Sequence, residues 1–555
     1  MFDILIIGGG IVGAALARDA SLRGYSVLLL EAVDFGHGTS SRSSKMLHGG
    51  VRYLEQGDLP LVYEALRERE ILLEAAPHLN RVQETLFPVI GGLTRPAWQI
   101  NVGLQLYDFL ANPFGVRRSA FGKAKRIPDS SEVASNLRRM GLEFDDLFSY
   151  SDGQMNDLRI VIENIVDART LGAVTVNHAK VEGIRRLRGG RLPEPRRVDP
   201  APMWEISWVD GIAHERRSSR ARFLVNASGP WIDQTGSLLA KSDQPPSVPV
   251  LHSRGTHLIF DIELPLPSMI LPTGISGRYY FVHPFFSPFR RGTLVGPTHG
   301  APSGYDDDPQ PNEEELAELF AYLERDLPGS GLGIDKLYRA FCGVRTLVPN
   351  EASLGSNGNV SDVSRRDKIV SSDGYLAVLG GKYTTARMTA ETVVSRIDSY
   401  FGKQSPRAND ERSTRARALP GGKGWNTQAE DAAISALTEA IAGRSDHWIP
   451  ENMPHLADVS ADVAGRIAAS AVRRFGMASS SFVADGGRCI FLSADHACLE
   501  AEALYSIHHE QTATLDDLIL RRLELGAVPG SINACRQSLF HWYAEYCSQA
   551  LPVPA

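Results

Sequence analysis

Residues with reactive or anion-binding side chains are concentrated near the N-terminus, in the segment SSRSSKMLHGGVRYLE (40–55). Hydroxyl groups, a lysine, a histidine, a glycine pair and an Arg-Tyr dipeptide follow one another there. A segment of this kind would form a poor core element, because each buried polar group needs a hydrogen-bond partner. The composition therefore favours a ligand-binding segment, with an ordinary solvated loop as the alternative.

Proton transfer and anion binding are the chemistry that these residue types perform. His48 has a reference pKa of about 6.5, which suits general base catalysis near neutrality. Arginine binds phosphate through two parallel hydrogen bonds. Arg345 ends a short apolar run in RAFCGVRTLVPN (339–350), and Arg365 precedes a strand-like run in SDVSRRDKIV (361–370). Both are candidate phosphate ligands, although either segment taken alone is more typical of a surface arginine.

A strand that stops at a glycine pair is predicted in YLAVLGGKYTTARMTAETVV (375–394), with a helix directly after it. Amide N–H groups at the start of a helix, together with a lysine in its first turn, stabilise negative charge on a bound ring. A reduced flavin carries such a charge. The residues that would form this turn are Gly380, Gly381, Lys382, Thr384 and Thr385.

The first 31 residues predict a second strand-to-helix turn, in which a buried strand enters a helix and a further strand ends on Glu31. Gly8, Gly10 and Gly13 form the pattern G-x-G-x-x-G in this context, which is typical of dinucleotide binding. The helix N-terminus would bind the diphosphate, and Glu31 would accept a hydrogen bond from a ribose hydroxyl. We therefore expect an adenine dinucleotide without a 2′-phosphate.

Length and composition limit the remaining classes. A chain of 555 residues predicts two to three domains, and 43% hydrophobic with 22% charged residues is typical of a soluble globular protein. A net charge of −7 gives no general attraction to nucleic acid. Five cysteines without a C-x-x-C pattern indicate neither a disulfide framework nor a metal site. A nucleotide-binding strand that begins at Phe2 predicts a cytoplasmic protein without a signal peptide.

The order of the strand and helix signals predicts an α/β nucleotide-binding domain that is built from separate pieces of chain and interrupted by an antiparallel cap sheet. The apolar run RFLVNASGPW (222–231) ends at Gly229, which predicts either a second cofactor contact or a plain strand-to-loop turn. The predicted units are a nucleotide-binding domain (1–90, 150–235 and 335–402), a cap domain (91–149 and 236–334), a linker (403–424) and a C-terminal all-α domain (425–555).

The chain resembles the FAD-dependent glycerol-3-phosphate dehydrogenases of the aerobic bacterial type. The resemblance rests on TSSRSSKMLHGGVRYLE, LVNASGPW, LGGKYTTAR and LPGG in family order across residues 1–424, and more weakly on residues 502–526. It implies a fold like that of glutathione reductase and D-amino-acid oxidase, with FAD as cofactor. It also implies oxidation of sn-glycerol 3-phosphate to dihydroxyacetone phosphate, with electrons passed to ubiquinone or menaquinone at the cytoplasmic face of the inner membrane.

The resemblance also implies roles for individual residues. Ser43, Ser44, Lys45 and Gly49 would line the flavin, whereas Arg52, Tyr53, Arg345 and Lys382 would hold the substrate, with His48 beside them. Arg365 would be a further phosphate ligand, although the Arg365-Arg366 doublet leaves the register open. His48 is either the general base or a hydrogen-bond partner of the flavin loop.

Several alternatives remain at this point. An oxidase that uses O₂, a flavoprotein without turnover and an amine or amino-acid oxidase would share many of these motifs, and a homodimer is a further hypothesis. An apolar helical stripe precedes a basic stretch, which fits either attachment to an anionic membrane or a core-facing helix. The stripe is Trp98, Val102, Leu106, Phe109 and Leu110, and the basic residues are Arg117, Arg118, Lys123, Lys125 and Arg126.

Overall fold

The structure, a computed structural model, describes most of the chain. The described residues are 1–55, 57–112, 119–187, 203–246, 248–275, 277–286, 291–300, 308–349, 366–449, 459–484, 486–493, 496–524 and 532–550. Predicted site residue Arg365 and the basic residues Arg117 and Arg118 lie outside these ranges. Within the described ranges, no helix combines the length and the apolar composition that crossing a membrane requires.

The strands are numbered in chain order. They are β1 Phe2–Ile7, β2 Val27–Leu30, β3 Met46–Leu47, β4 Asn80–Val89, β5 Lys125–Arg126, β6 Asp146–Met155, β7 Val174–Val176, β8 Ala179–Leu187, β9 Met203–Asp210, β10 Glu215–Asn226, β11 Leu251–Phe260, β12 Ser268–Pro272, β13 Tyr279–Phe286, β14 Arg291–Gly296, β15 Leu337–Leu347, β16 Lys368–Ser372, β17 Tyr375–Leu379, β18 Cys489–Ser493 and β19 His496–Leu499.

The helices are numbered in the same way. They are α1 Ile11–Leu22, α2 Leu59–Ala75, α3 Ala97–Ala111, α4 Glu132–Arg139, α5 Asp157–Thr170, α6 Ile232–Ser237, α7 Glu313–Asp326, α8 Ala386–Tyr400, α9 Thr427–Ala442, α10 Ala461–Phe475, α11 Glu500–His509 and α12 Ile532–Ala550.

The first sheet contains the parallel strands that the N-terminal motif predicts. Its order is β16-β17-β10-β1-β2-β7, with β9 paired to β10 and β8 to β9. Strand β1 is parallel to both β2 and β10, so that Ile4 lies beside Val27 on one side and Phe223 on the other. Helices α1, α5 and α8 cover one face with a common apolar core. Because this sheet is covered, its central strands are continuous apolar runs rather than alternating ones.

The second sheet is the predicted cap and is largely antiparallel, in the order β15-β11-β14-β13-β12-β4-β6-β3. Strands β4 and β6 pair over their whole lengths, from Asn80 opposite Met155 to Val89 opposite Asp146. The sequence-based boundaries assign β4 and β15 to the nucleotide-binding pieces 1–90 and 335–402, but both strands belong to this sheet. Composition does not show which of the two sheets a strand joins, so these two assignments could not be made from the sequence.

The C-terminal region is helical, as predicted, but it also contains the antiparallel pair β18–β19, which the prediction of an all-α domain lacks. Both strands are apolar and carry buried cysteines, Cys489 and Cys498, so they read like short core helix segments in the sequence. The region is bound to the first sheet by buried ion pairs. Arg522 donates to Asp34 at 2.8 and 2.9 Å, and Arg159 donates to Glu510 at 2.6 and 2.9 Å.

The predicted linker is packed against the first domain rather than extended. The Leu419 N–H donates to the Ala75 carbonyl at 2.8 Å, and Arg417 binds Asp167 at 2.8 Å. The LPGG segment is therefore a fixed turn. A Cβ atom at Gly421 would lie 2.5 Å from His78 Nε2, which explains a glycine there.

Candidate active site

The glycine turn after β1 has the close packing that dinucleotide binding requires. Gly8 has a φ of +106°, which favours glycine. A Cβ atom at Gly13 would lie 1.8 Å from the Gly8 carbonyl oxygen, so only glycine lets α1 approach the turn. At Gly10, by contrast, the nearest such contact is Ser40 Oγ at 3.0 Å. The turn thus has a tight base and an accessible rim, to which a diphosphate can bind at the start of α1.

Glu31 lies at the end of β2, beside the same turn. Its carboxylate accepts hydrogen bonds from the Gly9 N–H at 2.6 Å and the Val33 N–H at 2.9 Å. Burial raises the pKa of Glu31 above its usual value, although both backbone donors oppose this shift. The acid is therefore placed as the dinucleotide fingerprint predicts.

Residues 39–55 connect the two sheets and carry many of the predicted site residues. Ser40 Oγ accepts from the Ile11 N–H at 2.9 Å, which ties this segment to the start of α1. Ser43 Oγ donates to Asp157 Oδ2 at 2.7 Å, and Lys45, in the left-handed region at φ +56°, forms an ion pair with the same carboxylate. Asp157, at the start of α5, therefore fixes the predicted flavin-lining segment.

Ser44 and Gly49 contact residues of the second sheet. Ser44 Oγ is 2.9 Å from His257 Nε2, and burial, with Arg345 nearby, lowers the pKa of His257 well below its usual value. The Gly49 N–H donates to Asp152 Oδ1 at 3.2 Å and is 2.8 Å from the Tyr107 hydroxyl. A Cβ atom at Gly49 would lie 2.4 Å from the side chain of Leu66, so this position also requires glycine.

The second glycine turn follows β17. Gly380 and Gly381 have φ values of +68° and +104°, so both adopt a conformation that favours glycine. Lys382 Nζ lies 3.5 Å from the centre of the Tyr53 ring, a cation–π contact. The Thr384 hydroxyl donates to the His48 carbonyl at 3.2 Å. The turn is thereby joined to residues 48–53.

The helix after this turn begins later than the sequence predicts. It starts at Ala386 with Thr385 at the N-cap, so Lys382 and Thr384 precede the helix instead of occupying its first turn. The reason is tertiary: Tyr383 donates its hydroxyl hydrogen bond to the Asp157 carbonyl, and Thr384 donates to His48. These bonds hold residues 383–385 in a turn. Gly229, in the third predicted turn, has a φ of +58°.

A cavity of about 110 Å³ lies beside residues 44–53 and the second sheet. Four residues that the sequence proposes for substrate binding or proton transfer line it together: His48, Arg52, Tyr53 and Arg345. The other lining residues are Ser44, Met46, Gly50, Val51, Tyr150, Asp152, Ile270, Tyr279, Phe281, Pro297 and His299. Segments that are hundreds of residues apart in sequence therefore form a single small chamber that is lined by two arginines.

The two arginine segments differ in their position relative to the cavity. Arg345, on β15, lies over Gly255, where a Cβ atom would be 2.1 Å from Arg345 Nη2, and its Nη1 donates to the Arg254 carbonyl at 3.2 Å. Arg366 instead forms an ion pair with Asp58 at 2.9 Å and does not line the cavity.

Five residues around the site carry no sequence signal: Asp152, Asp157, His257, Tyr279 and His299. His257 and Asp152 lie within strands that read as ordinary alternating β-segments. His299 Nε2 lies 3.1 Å from the Tyr279 carbonyl oxygen, and burial raises the pKa of Tyr279 to about 12. Three of the five, Asp152, Tyr279 and His299, line the cavity, whereas His257 and Asp157 hold residues 43–45 beside it through Ser44 and Ser43.

A glycine turn between a parallel strand and a helix, a second glycine turn followed by a lysine, and a chamber lined by two arginines are the features of a flavin-dependent oxidoreductase of the two-sheet type. The chain belongs to the family described as FAD dependent oxidoreductase (DAO), whose model matches residues 3–396. FAD is accordingly its cofactor. The glycine turn fits this group, because Gly8 and Gly13 permit its tight base and Gly10 leaves its rim accessible.

The matches to individual relatives cover nearly the whole chain. The D-erythritol 1-phosphate dehydrogenase of Brucella abortus (strain 2308) is 31% identical over 527 residues, which are 94% of this chain and 93% of the relative. The aerobic glycerol-3-phosphate dehydrogenase of Escherichia coli (strain K12) is 30% identical over 561 residues, 99% of both chains. A solved structure of the glycerol-3-phosphate dehydrogenase from Bacillus halodurans complexed with FAD has a TM-score of 0.67 at 22% identity, and the match covers 99% of this chain and 91% of that one. This last likeness shows the shared fold.

Proposed function

We propose that the protein oxidises sn-glycerol 3-phosphate to dihydroxyacetone phosphate and passes the electrons to a membrane quinone. The observation that supports this most is the small cavity in which His48, Arg52, Tyr53 and Arg345 meet. Two guanidinium groups match a phosphate dianion, and the chamber is of a size for a short polyol chain. The relatives with related names support the same class of substrate.

Arg345 and Arg52 would bind the phosphate group. This end of the substrate does not react, so the binding energy it supplies can orient the carbon that does. Lys382, which contacts the Tyr53 ring at 3.5 Å, would hold this ring and the second glycine turn together while its charge stabilises electron density on the substrate oxygen. Arg365 stays a candidate for a second phosphate contact.

His48 would accept the proton of the substrate C2 hydroxyl. Thr384 donates a hydrogen bond to the His48 carbonyl, and Asp152 accepts one from the N–H of Gly49. The backbone at His48 is therefore fixed beside the cavity wall. FAD, when bound, supplies the acceptor for the two electrons and the hydrogen of the C2–H bond. The chain's own task is to align that bond and remove the hydroxyl proton.

An anaerobic titration tests this proposal. Addition of sn-glycerol 3-phosphate should bleach the flavin absorption band stoichiometrically, whereas glycerol and amino acids should leave it unchanged. Bleaching by an amino acid but not by the phosphate ester would instead identify an amino-acid oxidase. D-erythritol 1-phosphate belongs in the same experiment, because the relative named for that substrate matches almost the full chain. A much higher kcat/KM with the four-carbon ester would reassign the substrate within the same class.

The electron acceptor needs a separate measurement. Turnover with a soluble quinone and little peroxide is expected of a dehydrogenase. Stoichiometric formation of peroxide under air, with no gain in rate from quinone, would replace this part of the proposal with an oxidase that uses O₂.

Peripheral binding at the cytoplasmic face of the inner membrane is supported by helix α3. Its core side carries Ile100, Leu104 and Tyr107. Its other side leaves Trp98 66%, Val102 59% and Phe109 48% exposed, whereas Leu110 of the same predicted stripe packs against the core. Of the predicted basic residues, Lys125 and Arg126 are paired with Glu84 and Asp146.

A triple substitution tests this surface. Trp98→Ser, Val102→Ser and Phe109→Ser together should leave the protein in the supernatant after sedimentation with phosphatidylglycerol vesicles, with an unchanged flavin content. The control is Ile334→Ser, which removes another exposed apolar side chain from elsewhere on the surface. Equal sedimentation of both variants would exclude α3 as the contact.

A further inference from the structure

Asp152 is a buried carboxylate in the cavity that the proposed mechanism does not use as a substrate ligand. It lies on β6, its side chain is 1% exposed, and it lines the same chamber as His48, Arg52 and Arg345. A buried carboxylate is costly unless charged or hydrogen-bonding partners compensate for the lost water. The partners of this carboxylate therefore indicate what it can still bind.

All three donors to Asp152 bind the same oxygen atom. Arg69 Nη1 donates to Oδ1 at 2.7 Å, the Tyr107 hydroxyl at 2.8 Å and the Gly49 N–H at 3.2 Å. Among the described residues, no donor hydrogen-bonds Oδ2. An ionised carboxylate has about four acceptor positions shared between its two oxygens. One oxygen is thus committed to the protein, whereas the other receives no hydrogen bond from the described residues of this cavity-lining side chain.

We propose that Asp152 Oδ2 accepts a hydrogen bond from the terminal hydroxyl group of the bound polyol phosphate. This inference rests on the proposed function and adds a residue that selects the substrate. The charges determine the direction of binding: the phosphate dianion is repelled by the carboxylate and attracted by Arg52 and Arg345. The hydroxyl-bearing end must then face Asp152.

The assignment makes a hydroxyl group at the far carbon a condition of efficient turnover. A substrate without that group would bury the Oδ2 atom without a donor, and sites built to bind a hydroxyl group discriminate strongly against analogues that lack it. The reacting C2 hydroxyl and the phosphate group would be unaffected. Propane-1,2-diol 1-phosphate differs from glycerol 3-phosphate only in this terminal hydroxyl.

The test compares kcat/KM for these two esters. We expect the wild-type protein to prefer glycerol 3-phosphate by about 10- to 100-fold, the range of one hydrogen bond to a charged group. Asp152→Asn should reduce this preference to less than about threefold, because the amide presents a donor or a weaker acceptor in place of the carboxylate oxygen. A general loss of structure would lower both values and leave their ratio unchanged.

The matched control is Tyr107→Phe, which removes one donor from Oδ1 and leaves Oδ2 untouched. It should retain the wild-type ratio even if both rates fall. Because Asp152→Asn removes the nearer carboxylate partner of Arg69, at 2.7 Å, and leaves only Glu70 at 3.8 Å, the double variant Arg69→Met/Asp152→Asn provides a second version from which both buried charges are absent. Flavin content and melting temperature are measured for each variant.

Several results would overturn the assignment. Equal kcat/KM values for the two esters in the wild-type protein would exclude a terminal-hydroxyl contact without any variant being needed. A wild-type ratio in a flavin-loaded Asp152→Asn or double variant would exclude Asp152 as its source. Failure of both esters to bleach the wild-type flavin is a different result, since it removes the proposed function itself.

Discussion

The two glycine turns that we propose to bind opposite parts of the cofactor are built in different ways. The tightest approach in the turn at Gly8–Gly13, 1.8 Å for a Cβ at Gly13, is made to Gly8 within the same turn, although a Cβ at Gly8 would also lie 2.5 Å from the Ala227 carbonyl oxygen. The turn at Gly380–Lys382 depends on distant partners: Lys382 contacts Tyr53, and Thr384 binds the His48 carbonyl. The closest packing of the first turn is thus local, whereas the second turn is held by contacts with distant parts of the chain. Damage should therefore have different consequences at the two sites.

The largest expected effect is at the local turn. Gly13→Ala should yield protein with little or no FAD, since the added Cβ cannot fit between α1 and the Gly8 carbonyl. The ratio of flavin to protein absorbance after purification measures this loss. Gly103→Ala is the matched control, because a Cβ at that helical glycine meets nothing within 4 Å. Normal flavin content in the Gly13 variant would contradict the local character of this turn.

The next effect concerns the proposed substrate cavity. Arg345→Ala should lower kcat/KM by about 30- to 150-fold, as expected for the loss of a charged hydrogen-bond donor, while the flavin stays bound. Arg366→Ala, which removes an arginine paired with Asp58 outside the cavity, should change kcat/KM less than about threefold. Similar losses in both variants would mean that the cavity does not distinguish these arginines.

Acidification should lower the stability of the second sheet, which contains a buried histidine, more than that of the first glycine turn. Burial lowers the pKa of His283, on β13, to about 4, against about 6.5 for an unfolded histidine. The unfolded chain therefore takes up a proton at a higher pH than the folded protein. The stabilisation is complete above pH ~6.5 and is lost as the pH falls towards 4, by up to about 3 kcal/mol.

His283→Gln removes this titration. In urea unfolding between pH 7 and pH 4.5, the wild-type protein should lose more stability than the variant does. Parallel pH profiles for the two proteins would show that His283 gains its proton equally in both states.

The smallest expected effect concerns the hydrogen bond between the second glycine turn and His48. Thr384→Val keeps the shape of the side chain and removes the bond to the His48 carbonyl, at a cost of about 1 kcal/mol, or roughly fivefold in kcat. Thr392→Val removes a hydroxyl that bonds only within α8 and lies on its exposed side, so it should leave kcat unchanged. Equal kcat values in the two variants would mean that this hydrogen bond does not contribute to the geometry of His48.

The cap shows where sequence reasoning reaches its limit. The alternating strands predict an antiparallel sheet inserted between pieces of the nucleotide-binding domain. They do not show that β4 and β15 belong to this sheet. The same is true of α3: spacing alone fits either a core-facing or an exposed stripe. Burial of Leu104 and Tyr107 against other elements decides which face Trp98 and Phe109 occupy.

The sequence by itself determined the parts whose causes lie within a few turns of the chain. These are the strand and helix around Gly8–Gly13, the acid at Glu31 and the glycine pair at Gly380-Gly381. Only the tertiary structure decided that Asp152 and His257 reach the site and that α8 begins at Ala386. The reason is physical: backbone conformation and helix periodicity are set by neighbouring residues, whereas a cavity wall is set by strand pairing between segments far apart, which no single segment encodes.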